Sequence, residues 1–306
     1  MTRRELAAGL VAQAVSPAAR RALAGAILVH EHVLVDFGGA ETPGQYDPEE
    51  VFRIARPKLE EIYRLGCRRL LECTPHYLGR NARLLARLSD AVGLELWTNT
   101  GIYGAADRKG VPAFAWQETA GQLAGRFMEE ARRGLDGLKP RFIKTGVKGA
   151  PLEELDRKLV RAAAIAARET GLTIASHTGP GAAALEQLEI LAAERVRPAK
   201  FVWVHAQNEK DHALHEKVAR AGAWVEFDGI GPRSLDWHLE CVRWMAARGL
   251  LGQTLVSQDA GWYHVGEPGG GHYRGYAYLY TDFLPRLTPA WTRQLLVVNP
   301  VRAFGE

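Results

Sequence analysis

Cysteine is scarce. Cys67, Cys73 and Cys241 are the only three in 306 residues, an odd number without metal-site spacing, which excludes a disulfide scaffold. No apolar run approaches the ~20 residues that span a bilayer, so no membrane partner is expected. Charge of one sign is lacking too: 39 Lys and Arg against 35 Asp and Glu leave +4. The basic residues are scattered, so a pI near 9.0 gives no footing for nucleic acid as a partner. Neither a Pro/Gly/Ser-rich linker nor a short-period repeat divides the chain. The expectation is one domain over 26–306 behind a leading segment, 1–25. In that segment MTRRELAAGLVAQAVSPAA reads as a truncated twin-arginine export signal or as an amphipathic helix with Leu6, Leu10 and Val11 on one face. The helix is favoured, giving a cytoplasmic protein, with a periplasmic one as the alternative.

What the chain does have is a set of short apolar runs that end in chemistry. They are AILVHEH (26–32), RFIKTG (141–146), LTIASHTG (172–179), FVWVHA (201–206) and TLVSQDA (254–260). Each is rich in β-branched or large apolar residues and is followed by Gly, polar residues and a helical pattern, the mark of a buried parallel strand feeding a βα loop. CRRLLECTP (67–75), LELWTNTG (94–101) and WVEFD (224–228) complete eight strands. Between them, Asp47-Pro48 supplies the N-cap and first turn of a helix to about Leu65, which Gly66 stops. Further helices follow Gly79, span about 118–135, end at Gly171 and cover 234–248. The alternation predicts an α/β fold of the (β/α)8 TIM barrel type, whose ~250 residues are slightly exceeded here. Such a barrel gathers its strand ends at one face.

Five of those ends carry six residues of metal-site chemistry. His30 and His32, two apart on a strand, point the same way and can reach one ion; alone, the pattern more often marks hydrogen-bonded histidines. His177 and His205 repeat the placement. Lys144 would put an ammonium in a low-dielectric mouth, which burial and like charge oppose; as a neutral amine it could take up carbon dioxide as a carbamate, and by itself it would simply point outward. Asp259 can ligate a metal and accept a proton, though an Asp before AGWY is also a good helix cap. His212, His215 and His238 sit in polar helical stretches and read as solvated. His76, His264 and His272 read as loop residues.

In combination, HEH at 30–32, GRN at 79–81, NTGIYG at 99–104, FIKTG at 142–146, SHTG at 176–179, HAQN at 205–208 and SQDAGW at 257–262 resemble the phosphotriesterase-like family of the amidohydrolase superfamily. The resemblance implies two divalent ions per chain, zinc first, with manganese, cobalt, nickel or iron as alternatives. His30, His32 and Asp259 would hold one ion and His177 and His205 the other. A carbamate on Lys144 and a hydroxide would bridge them. It implies a hydrolase in which that hydroxide attacks an ester, Asp259 collects the proton and Tyr103 lies against the reacting oxygen, although a turn tyrosine packing on the rim reads equally well. By analogy the protein is a homodimer.

Two departures bear on substrate. The phosphotriesterase type has a histidine after the strand-seven aspartate and an acid three residues after the strand-six histidine; here Gly229 and Asn208 stand there. The homoserine-lactonase type has an arginine where Gly229 stands. The expectation is therefore a carboxylic ester or another lactone, with a phosphotriester as the alternative and an inactive ligand-binding barrel less favoured. A mononuclear deaminase shares the His-x-His and the last Asp but does not need Lys144. In the glycine-rich loop after the eighth strand, Trp262 and Tyr263 are expected to line a leaving-group pocket, and Arg274 or Arg233 to meet a substrate anion, with solvent exposure favoured for the arginines.

Overall fold

The computed structural model describes residues 23–305, so both readings of the N-terminus lie outside the described residues. The strands are β1 (Ala26–Glu31), β2 (Leu34–Val35), β3 (Cys67–Glu72), β4 (Glu95–Trp97), β5 (Asn99–Thr100), β6 (Phe142–Gly146), β7 (Ile174–His177), β8 (Phe201–Val204), β9 (Trp224–Phe227), β10 (Thr254–Val256) and β11 (Tyr263–His264). All pair in parallel. β4 and β5 are halves of one barrel strand: the first pairs with β3 and the second with β6, so the break at Thr98 carries the sheet across. The seam between first and last strands closes through Asp259 N donating to His30 O at 3.1 Å and His32 N donating to Ala260 O at 2.8 Å. The result is the expected (β/α)8 barrel.

The helices begin and end where local chemistry dictates. α1 (Pro48–Arg64) is capped by the Asp47 carboxylate, which accepts from Glu49 N at 2.9 Å. α2 (Ala82–Val92) is capped by Asn81 and stops at Gly93, φ 73°. α3 (Ala120–Arg133) opens on a Thr119/Gln122 capping box, and α4 (Glu154–Thr170) ends at Gly171, φ 74°. α5 (Gly181–Ala193), α6 (His212–Arg220) and α7 (Leu235–Ala247) complete the ring after β7, β8 and β9. One apolar cluster lies between this ring and the sheet. A smaller one, with Ile27, Val29, Phe142, Val202, Val204 and Leu255 among its members, takes residues from around the barrel and fills its inside.

That inside alternation exposes something unreadable from spacing. Ile27 and Val29 belong to the interior cluster, so a regular strand would next turn Glu31 inward and His30 and His32 outward. Between Leu28 and Glu31 the register slips: three steps on β1 oppose two on β3, from Leu70 to Glu72. This bulge shifts the phase and aims both imidazoles into the mouth, as bulges beside functional sites do. Val204 and His205 also face the same way although adjacent, because His205 is left-handed at φ 64°.

The closing seam leaves no room at Gly261. Its φ is 96°, and a Cβ there would run into the His32 carbonyl and lie 2.7 Å from the Tyr276 hydroxyl. Gly261→Ala is expected to cost about 2 kcal/mol or more, lowering Tm by at least roughly 4 °C in thermal unfolding followed by circular dichroism. An unchanged Tm would show that the seam tolerates displacement.

Candidate metal centre

The six predicted residues meet at one cavity of about 220 Å³, which His30, His32, Lys144, His177, His205 and Asp259 all line. The His30 and His205 rings are 5.0 Å apart and the His177 and His205 rings 4.4 Å. Asp259 Oδ1 lies 3.2 Å from His32 Nε2 and 3.7 Å from His30 Nε2. One ligand atom each from His30, His205 and Asp259 falls within 4.8 Å of the others. The carbonyl of Asp259, whose φ is 50°, is held by Trp262 Nε1 at 2.7 Å and by the Arg274 guanidinium at 3.2 Å.

Buried acceptors orient three of the imidazoles. His30 Nδ1 lies 2.9 Å from Glu226 Oε1 and 3.1 Å from Asp228 Oδ2. His205 Nδ1 meets Asp228 Oδ1 at 2.7 Å, and His32 Nδ1 meets Thr74 Oγ1 at 2.7 Å. With Nδ1 so occupied, the Nε2 lone pairs are left for the cavity, the usual arrangement behind metal-binding histidines. His177 instead sets Nδ1 3.1 Å from the Tyr103 hydroxyl.

Burial dominates the electrostatics. It pushes His30 down to about 3, helped by the charge of Lys144, and it holds His177 well below the ordinary histidine range, helped by His205. Both rings are therefore neutral, the form that binds metal. At His205 burial also depresses, but the charge and hydrogen bond of Asp228 outweigh it and the net shift is upward. Asp228 itself is held well below the usual carboxylate range: burial opposes this, and His205 and His30 overcome it. Glu226 is pushed well up by burial and by Asp228. The two neighbouring acids are thus pushed in opposite directions.

The donor set fits divalent metal on a further observation. Lys144 Nζ and Asp259 Oδ1 are buried without a hydrogen-bond partner. A polar atom left so in the interior costs roughly 1–3 kcal/mol, which a cation between them would recover. Neutral imidazoles with a carboxylate suit zinc and its neighbours, and a carbamate on Lys144 would add oxygen ligands.

Tyr103 and Trp262 line the cavity as expected. Tyr263 does not: it is buried behind the wall and donates its hydroxyl to Glu50 Oε2 at 2.6 Å, because β11 pairs with β2 and turns its side chain away. Arg274 is also absent from this cavity; its guanidinium is tied to the Gln258 and Asp259 carbonyls. It lines a neighbouring cavity with Arg233, so neither arginine lines the cavity of the six predicted residues. His215 and His238 are buried, not solvated; they lie on the inner faces of α6 and α7, where His215 Nε2 donates to Ala206 O and His238 Nδ1 to Ser234 O. Glu226 and Asp228 were missed as partners of the histidines, though two acids at i and i+2 of WVEFD share a strand face, which is the signal that would have found them. The apolar wall of Val35, Phe37, Leu78 and Ala106 also went unread.

Comparison with known proteins agrees with this geometry. A sequence model of the phosphotriesterase family matches residues 12–304. The phosphotriesterase homology protein of Escherichia coli is 29% identical over 293 residues, covering 92% of this chain and 98% of its own. Its crystal structure, with phosphate in the active site, aligns at TM-score 0.79 and 26% identity over 92% of this chain and 99% of the other. An aryldialkylphosphatase of Saccharolobus solfataricus is 29% identical over 213 residues, 68% of this chain and 67% of that one. A Listeria monocytogenes lactonase, 24% identical, shares the fold at TM-score 0.78 over 92% and 94% of the two chains. By this match across most of its length, and by the strand-end site it explains, the chain belongs to the phosphotriesterase family.

Proposed function

We propose that the protein hydrolyses a neutral lactone or carboxylic ester with the help of two divalent metal ions, zinc in the first place. The observation that carries this reading is the convergence of four imidazoles, a lysine and an aspartate on one cavity with two of their buried polar atoms unpartnered. His30, His32 and Asp259 would hold one ion and His177 and His205 the other, with a carbamate on Lys144 between them. Bound there, such ions supply a water acidic near pH ~7 and polarise a carbonyl oxygen.

The chain's own residues set the rest. Asp228 and Glu226 fix the orientation of His30 and His205. Asp259 is held below the usual carboxylate range, burial opposing and the neighbouring His32 and His30 prevailing, so it is ionised and able to take a proton. Burial pushes the Tyr103 hydroxyl up; it therefore keeps its proton and can donate to a substrate oxygen beside His177. Val35, Phe37, Leu78, Ala106 and Trp262 exclude water and accept an apolar group. Lys144 is the one Lys or Arg in the lining, so apart from the proposed ions and Lys144 itself the chain places no cationic side chain there to pair with an anionic phosphomonoester.

Preference for an ester over a phosphotriester rests on the missing relay. Both Asp228 oxygens are occupied, by His205, Gln207 and His30. Beyond them stands Gly229, where a Cβ would already lie 2.8 Å from Gln207 Nε2. Glycine offers no side chain there to carry a proton away from Asp228.

Metal analysis of the purified protein, followed by assay against lactones, aryl esters and a phosphotriester, tests the reading. Expected are about two ions per chain and chelator-sensitive turnover best on an ester or lactone. Lys144→Ala should lose metal and cut turnover by ~10²-fold or more. Full metal content and full ester hydrolysis in that variant would sink the proposal. A best rate on the triester would favour the phosphotriesterase alternative, and a metal-free, inactive protein after reconstitution would leave a binding barrel. Asp228→Asn removes no proposed ligand, yet it should weaken metal affinity roughly 10–100-fold in chelator competition; parent-like affinity would reduce Asp228 to a packing role.

A further inference from the structure

We propose that a second cavity, between the loops that follow β9 and β10, is a binding site for a small molecule carrying a phosphate or carboxylate group. Its volume is about 660 Å³, within the ~300–1,000 Å³ of small-molecule sites. Lys58 from α1, Arg233 and Ser234 from the loop after β9, and His272, Tyr273 and Arg274 from the loop after β10 line it, and no carboxylate does. Some arginines elsewhere are matched with acids, as in Arg56–Glu60, Arg126–Glu118 and Arg157–Glu186, and others are not. Among the described residues, Lys58, Arg233 and His272 have no such partner. Arg274 spends N–H groups on the Gln258 and Asp259 carbonyls and retains others of its five donors.

The backbone adds to the same field. α7 starts at this cavity, and its N-cap Ser234 does not cap it. The Ser234 hydroxyl donates to Gly229 O at 2.6 Å and accepts from Gly231 N at 3.1 Å. The first amides of a 13-residue helix are thus left without a side-chain acceptor, at the end where an anion is favoured. Burial and the fields of Asp282 and of Asp236, which stands in the first turn of α7, push the Tyr278 hydroxyl up, but neither acid lines the cavity. Two glycines of the lining lie beside these cations: a Cβ on Gly231 would be in contact with the Arg274 guanidinium at 3.4 Å, and one on Gly275 with the Lys58 side chain at 3.5 Å. Guanidinium forks beside helix amides match the oxygens of phosphate or carboxylate.

The ligand is separate from the bond hydrolysed at the metal centre, since the two cavities share no lining residue. The proposal stands whether or not the hydrolase reading does. Calorimetric titration of inorganic phosphate into the full chain, after chelator treatment so that no metal can bind it, is the test. The parent should bind phosphate saturably, and less tightly as salt rises. The Lys58→Ala/Arg233→Ala double variant should bind about tenfold more weakly or worse at an unchanged Tm, while His177→Asn, altered in the other cavity, should bind as the parent does. No binding by the metal-free parent, parent-like affinity in the double variant, or loss of binding in His177→Asn would each overturn the assignment.

Discussion

The barrel closes on the same backbone that carries its chemistry. Where β1 meets the end of β10, His30 O accepts from Asp259 N and His32 N donates to Ala260 O. The Glu31 carboxylate, between the two histidines, accepts from Ser257 Oγ, Gln258 N and Ala260 N. Three proposed ligands are therefore positioned by one hydrogen-bonded seam, and the seam exists because the sheet must have no free edge. Burial pushes the Glu31 carboxyl up to about 8 in spite of those donors, so the seam is made at an energetic cost that the surrounding core has to offset.

The same cost recurs around the mouth. Lys144, Glu226 and Asp228 are fully or almost fully inaccessible, and an apolar set of the same volume would pack there without desolvation penalties. What favours keeping them is their arrangement: each buried acid meets an imidazole, and the atoms left over point at one cavity. A structure selected for stability alone would have no use for an unpartnered buried lysine. This asymmetry, more than any single distance, separates the metal reading from that of a stable barrel with incidental histidines.

How much of this could be read from the sequence depends on whether a feature is local. Apolar runs ending in His30, Lys144, His177, His205 and Asp259 are local, and so are the caps at Asp47 and the stops at Gly66 and Gly171. The bulge in β1 is not: it is defined against β3, and nothing in AILVHEH announces it. Nor does the left-handed backbone at His205 show in the residue type, since histidine, though enriched there, adopts it in only a minority of cases. The inward positions of His215 and His238 were hidden by polar neighbours, although Val218 and Ala219 follow the first at helical spacing, and Cys241, Val242 and Met245 the second. Tyr263 was misplaced for the same reason as the bulge, since its direction is set by pairing with Leu34 in a distant segment.

The loops, less legible than the strands, decide what the face recognises. After β10 the chain bends at Gly261 and returns to pair with it at Arg274. One product is Trp262, which packs 4.0 Å from the His32 ring and walls the metal cavity. The other is Arg274, whose guanidinium holds the Asp259 carbonyl from the opposite side. A single excursion thus divides the rim into an apolar chamber over the proposed metal ligands and a basic one beside it. Because both chambers bear on the carbonyl of Asp259, a change of conformation in this loop would be felt at a proposed metal ligand even though no substrate atom touched the arginine.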